Sequence, residues 1–166
     1  TEQAIEATGL EYTILRNNLY IDLSLGNFAG AAASGQLIDA RPTGKIAYIT
    51  REDCARAAAA ALISGSGKRT IDITGPEALS GDDLAAALTA VTGKKVAHLA
   101  VPLQAVIDGM VKHGLPLPIA QVFASIETSA EKGELAAVTD QVKVLTGSAP
   151  ASVKEWLTAN RAALGA

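Results

Sequence analysis

Cysteine is the scarcest useful residue in this chain. Cys54 is the single one among 166 residues. One thiol excludes an intramolecular disulfide framework and a cysteine-cluster zinc site, and it fits a reducing, cytoplasmic setting. Histidine is nearly as rare. His98 and His113 lie too far apart for a helical or hairpin ligand pair, so no metal site is expected. Aromatic residues make up 4%, which leaves the core to small aliphatic side chains. Basic residues are not in excess: 14 Lys and Arg stand against 17 Asp and Glu, for a net charge of −3. No basic run exceeds two residues, so a nucleic-acid surface is not expected. The longest apolar run, residues 57–63, falls far short of the roughly 20 residues of a membrane span. No basic segment followed by an apolar core opens the chain, so no signal peptide is expected.

Several chemical signatures are missing as well. No G-x-G-x-x-G occurs, so the chain alone carries no dinucleotide fingerprint. Gly67-Lys68-Arg69 has the Gly-Lys pair of a phosphate loop, but no Ser or Thr follows, and it sits between a helix and a strand rather than opening a helix. There is no G-x-S-x-G and no H-E-x-x-H.

What remains is 49% hydrophobic and 19% charged, with alanine at about a fifth. That is a globular composition and a length suited to one domain. Residues 1–8 read as the tail of a helix stopped by Gly9, and residues 12–15 as a buried strand. Residues 20–33 read as a helix with Leu23, Phe28 and Ala31 inward, closed by Gly35. Short strands are expected at 46–49, 70–74 and 95–101, with 36–39 as a further candidate. Thr50 and Ser80 read as N-caps of the helices that follow, with Glu52 and Asp53 in the first turn of one. Helical pieces at 103–112, 119–131, 140–145 and 152–164 follow. Strand and helix alternate, then helices dominate. The pattern implies a parallel or mixed sheet with helices on its faces and a helical cap. Four short strands are few for a free-standing doubly wound sheet, so the chain reads as the second half of something larger.

Taken alone, the reactive side chains have ordinary readings. Cys54 suits a small buried thiol at an Ala-rich helix start. His113 suits a helix C-terminus. Asp82 and Asp83 suit a helix first turn, Asp53 a cap, and Arg16 a structural cation at a sheet edge. Glu127, Glu131 and Glu134 read as a solvated face. Asn17 and Asn18 read as a turn with an N-cap.

The segment T-E-Q-A-I-E-A-T-G-L-E-Y-T-I-L-R-N-N-L-Y-I-D-L, residues 1–23, changes part of that picture. It resembles the middle of the NmrA-like group of atypical short-chain dehydrogenases/reductases. Gly44-Lys45-Ile46-Ala47 followed by Thr50-Arg51-Glu52-Asp53-Cys54-Ala55 is similar to a second stretch of that family, and Thr70 to Gly75 with Ser80 and Leu84 to a third. The NAD(P)H:quinone oxidoreductase type 2 branch is the most similar, and the resemblance weakens after Val101.

The resemblance implies the C-terminal part of a Rossmann-like α/β fold, with few short, mostly parallel strands and a helical substrate cap. Residues 1–101 would complete the NAD(P)-binding domain, and residues 102–166 would form the cap. The family's glycine-rich loop lies upstream, so NADP or NAD binding would be incomplete here. By the resemblance, Asn17, Asn18, Leu19, Tyr20, Ile21, Asp22 and Leu23 would line the nicotinamide, in keeping with ligand binding at the carboxyl ends of strands in open α/β sheets. Tyr20, Met110 and Phe123 would face the acceptor, a quinone or similar small molecule, with His113 nearby in the lid. Leu23 stands where the branch often has Asn, which removes a polar group from that site. No catalytic residue is named, because a hydride-transferring cofactor carries the chemistry. Two rivals are a dinucleotide-sensing regulator without turnover and a sugar-nucleotide epimerase relative. An uncovered sheet edge would favour a homodimer.

Overall fold

The computed structural model describes residues 1–165. Eight α-helices and four β-strands alternate: α1 (Glu2–Ala7), β1 (Tyr12–Asn17), α2 (Leu25–Ser34), β2 (Gln36–Asp39), α3 (Arg51–Ser64), β3 (Lys68–Ile73), α4 (Gly81–Thr92), β4 (Ala97–Ala100), α5 (Leu103–Lys112), α6 (Leu117–Glu131), α7 (Gln141–Thr146) and α8 (Val153–Ala159). The strands form two separate parallel pairs. β1 lies beside β3, from Tyr12 opposite Lys68 to Asn17 opposite Ile73. β2 lies beside β4, from Gln36 opposite Ala97 to Asp39 opposite Ala100. Parallel neighbours require long crossovers, and here helices supply them. This is the mixed α/β architecture with short parallel strands that the sequence implied. No helix among the described residues is long and apolar enough to cross a membrane.

Local chemistry sets several helix ends. Thr50 Oγ1 accepts from Asp53 N at 2.9 Å at the start of α3. Ser80 with Asp83, and Ser152 with Glu155, form reciprocal capping boxes on α4 and α8, which satisfies two orphan N–H groups at each start. Gly35 and Gly93 close α2 and α4 in the left-handed region, where a side chain would be strained.

The segment at 46–49 is not a strand. Ile46 makes one antiparallel bridge to Leu79, and Ile49 one parallel bridge to Tyr20. All four residues are buried because the segment threads between the two strand pairs. Its route is tight: a Cβ on Gly75 would fall 1.8 Å from the Tyr48 carbonyl oxygen. Residues 20–33 also divide, into a 3₁₀ turn (Ile21–Ser24) and α2. With three residues per turn instead of 3.6, the turn sends Ile21 inward and leaves Leu23 53% exposed. Phe28 and Ala31 are buried as expected. β1 is half-buried rather than buried, since β3 is its one strand neighbour among the described residues. The last helical stretch breaks at Asn160, after which residues 161–164 form a 3₁₀ turn.

The largest apolar cluster gathers Ile21, Phe28, Leu37, Tyr48, Leu84 and Leu157 around α2, α4 and α8. A second joins Ile49, Cys54, Ile71, Ile73 and Val142 beneath β3. The α5–α6 hairpin has its own small cluster of Ile107, Ala120 and Ala124, with Met110 and Leu115 against it.

Candidate functional site

β1 ends at Asn17, and the chain turns sharply there. Asn18 N donates to Ile73 O at 2.9 Å, extending the pairing with β3 by one step. Ile49 N then donates to Leu19 O at 3.1 Å, and Ile21 N to Ile49 O at 3.0 Å. The turn is therefore clamped between β3 and the threading segment. Its side chains divide by direction. Asn18 is spent on structure: its amide donates to Leu135 O at 3.0 Å and its carbonyl accepts from Leu19 N at 2.7 Å. Asn17 is exposed and donates to the Tyr20 hydroxyl at 2.9 Å. The Arg51 guanidinium sits 5.8 Å from the centre of the Tyr20 ring, within cation–π range.

A shallow hollow of about 360 Å³ opens at this strand end. Asn17, Asn18, Leu19, Tyr20 and Leu23 line it from one side, Ile126 and Leu135 from the other. Its size falls within the usual range for small-molecule sites, and so does a mostly apolar wall with a few amides and one hydroxyl. A second hollow, of about 480 Å³, lies between β1 and α3 around Tyr12, Ala58 and Gly67. That one is at the start of the strand, away from the carboxyl ends.

Five of the seven residues expected at the nicotinamide thus meet in one place. The other two do not. Ile21 is buried in the main core. Asp22 turns away to accept from Arg51 N at 3.0 Å, at the first turn of α3. With Thr50 on Asp53 N, the first turn of α3 is capped from within. The two lid residues lie elsewhere too. Met110 packs inside the α5–α6 hairpin, and Phe123 is 40% exposed one turn before Ile126. His113 is the exposed C-cap of α5.

Ile126 and Leu135 carry no signal in the sequence that marks them as wall residues. Chain folding alone brings them opposite Asn18.

Glu131 and Glu134 are exposed, as expected of a solvated face, but Glu127 is largely covered and both Glu127 and Glu131 have partners. Glu127 accepts from Arg41 Nε at 2.8 Å and from Ala40 N at 3.3 Å. Glu131 accepts from Gly44 N at 2.7 Å and from the Thr43 hydroxyl at 2.8 Å. That hydroxyl, with the Thr43 and Gly44 amides, holds the Glu131 carboxyl below its ordinary value. Arg41 also donates through Nη2 to Asp39 at 2.7 Å. His98 spans Asp39 and Asp82, at 2.9 and 3.2 Å. Arg41, Asp39 and His98 are each about 5% exposed or less. Burial by itself would lower the Arg41 pKa, but the surrounding Tyr48, Glu127 and Asp39 raise it. Burial likewise pushes the Tyr48 phenol up.

Cys54 has no nucleophilic setting. Burial, with Asp53 and Asp22 nearby, pushes its thiol up to about 11, the opposite of what a reactive thiolate needs. Asp53 ties its helix to a distant segment as well as capping it, accepting from Ala151 N at 3.0 Å. Arg16 makes an exposed two-pronged pair with Glu2, at 2.8 and 2.6 Å.

No family model matches the chain. Individual proteins do. The NAD(P)H azoreductase of Xenophilus azovorans is 29% identical over 166 residues, which is 99% of this chain and 58% of that protein. Quinone oxidoreductase 2 of Escherichia coli is 35% identical over 137 residues, 81% of this chain and 48% of that protein. Among solved structures, the E. coli NADPH-dependent quinone oxidoreductase complexed with NADPH superposes with a TM-score of 0.88 at 31% identity, covering 95% of this chain and 56% of that one. The Citrobacter triphenylmethane reductase complexed with NADP(H) gives 0.87 at 31%, covering 96% and 56%. The chain spans about half the length of the proteins it matches. It is related, along nearly all of that span, to the NAD(P)H-dependent reductases of the NmrA-like atypical short-chain dehydrogenase/reductase family.

Proposed function

We propose that this chain is the acceptor-side half of an NAD(P)H-dependent oxidoreductase that passes hydride to a quinone or a similar flat, small acceptor. The hollow at the carboxyl end of β1 carries the reading. It sits where ligands of parallel α/β sheets bind, and its walls offer an apolar slot with amide and phenol groups at one end.

The residues present fit one end of the cofactor. Asn17 and the Tyr20 hydroxyl are exposed enough to meet a carboxamide, and Tyr20 with Leu23 offers a flat apolar surface for a ring. The pyrophosphate end finds no cradle here. The nearest helix start, that of α3, already has Asp22 and Thr50 on its donors, and the sequence holds no glycine-rich loop. Residues 1–101 would then complete the dinucleotide domain and residues 102–166 supply the cap, through Ile126 and Leu135. The reduced nicotinamide supplies the hydride. This chain's residues hold the ring's face, position the acceptor over it and exclude water. The free edge of β1 asks for a further strand, from the dinucleotide-binding half or from a second copy in a homodimer.

Calorimetry of the 166-residue chain with NADPH tests the first part, and the expected result is no binding tighter than millimolar. Micromolar binding would move the phosphate site into this chain and overturn the division. Oxidation of NADPH by menadione, followed in the whole protein, tests the second. Tight NADPH binding without turnover of any quinone or azo acceptor would replace the reductase reading with a dinucleotide sensor.

A further inference from the structure

Helix α6 does two jobs at once. Ile126 forms a wall of the hollow, and the next residue, Glu127, about 100° further round the helix, reaches into residues 40–44. Two carboxylates one turn apart, Glu127 and Glu131, hold that loop through Arg41 Nε and the amides of Ala40, Thr43 and Gly44. The approach leaves no slack. A Cβ on Gly44 would fall 2.7 Å from Glu131 N and 2.8 Å from the Ala130 carbonyl. Arg41 is anchored in turn to β2 through Asp39, and Asp39 to β4 through His98. The N-terminal half of α6 has no comparable mount. Its Leu117, Ile119, Val122 and Phe123 are exposed, and it packs mainly on α5.

Apolar burial alone does not explain this arrangement. A buried ion pair is weak evidence for stability, because desolvation offsets most of the Coulomb gain. What such a pair does well is fix geometry: two directional bonds allow one distance and one angle. The Arg41 guanidinium uses Nε and Nη2 in these bonds, which fixes its plane between β2 and α6.

We propose that Arg41 and Glu127 are a positioning pair that sets the width of the acceptor hollow, fixing how far Ile126 stands from Tyr20 and Leu23 and hence the ring size admitted. This rests on the hollow being the acceptor site. Neither residue touches the acceptor. Both act through Ile126.

Glu127→Ala in the whole protein tests it. The ratio of kcat/KM for menadione to that for benzoquinone should change by roughly tenfold, the scale of one methylene in an apolar pocket, with KM for NADPH unchanged. Glu127→Gln keeps the length and an acceptor for Arg41 Nε, and should restore the ratio to within about twofold. Combined with Ile126→Ala, Glu127→Ala should add little further change, because both act through one wall. A parallel fall for both quinones with no change in ratio, or full additivity with Ile126→Ala, would reduce the pair to a structural tie and overturn the proposal. A second measurement needs no acceptor. In this chain alone, Glu127→Ala should speed amide hydrogen exchange in α6 and leave α4 unchanged, and equal exchange in α6 sinks the idea. If the wild-type whole protein reduces no acceptor, the function reading fails, while the exchange result still shows whether the pair holds α6.

Discussion

The two strand pairs share parallel pairing, and their polar ties differ. β1–β3 is the longer, at six residues a strand, yet no residue of β1 is buried. Its polar tie is the Arg16–Glu2 pair, whose side chains are 55% and 36% exposed. β2–β4 has four residues a strand, but Leu37 is 1% exposed, and Asp39, Arg41 and His98 form a buried network across it. Strand length therefore says little about which pair is held. Burial of the groups around it decides, since exposed ion pairs contribute almost nothing and buried ones cannot be broken cheaply.

The sharpest way to break the contrast is Arg41→Ala. It would leave Asp39 and Glu127 facing each other in a dry site, and should cost about 3–5 kcal/mol, read as the shift in urea unfolding free energy. A cost below that of an ordinary surface substitution would mean the network is not desolvated. Next comes a matched pair of truncations. Leu37→Ala in β2 should cost about 2–5 kcal/mol, whereas Leu15→Ala in half-buried β1 should cost about 1 kcal/mol. Equal losses would mean that β1 is covered in solution. Acid should destabilise the fold. The Ser80 hydroxyl holds the Asp83 carboxyl below its ordinary value, and the Thr43 hydroxyl does the same for Glu131. Folded values below unfolded ones stabilise above the ordinary carboxylate range, and that stabilisation is lost as pH falls through the depressed values. The melting temperature should hold steady down to about pH 5 and drop below about pH 4, less so in Asp83→Asn. The smallest effect is expected from Glu2→Gln: no measurable change in melting temperature at physiological salt, and at most a slight one at low salt.

What could be read in the sequence follows the same division between near and far. Thr50, Ser80, Gly35 and Gly93 act on backbone groups within four residues, and their roles were legible. So were the bounds of α5 and the place of Asn17, Leu19 and Tyr20 at a strand end. The threading segment at 46–49 was misread because buried β-branched and apolar residues look alike in a strand and in a connector that crosses a core. The partners of Glu127 and Glu131 carried no signal, because two acids one turn apart describe a solvated helix face equally well. Their partners lie 86–88 residues away, beyond any local pattern. The wall residues Ile126 and Leu135 were invisible for the same reason. Leu23 failed on a smaller point, the pitch of one turn.

The mount of α6 and the wall it gives the hollow are different residues of one helix. On the proposed reading, the residues lining the hollow act on recognition by contact, and the Arg41–Glu127 pair acts on it through the position of the helix. Leu23, Ile126 and Leu135 can be exchanged for larger, smaller or more polar side chains without touching the bonds to residues 40–44. On the same reading, changes at those three positions would alter the acceptor admitted, at some cost in packing for Ile126 and Leu135, which also touch the main core, while Gly44 would tolerate almost nothing.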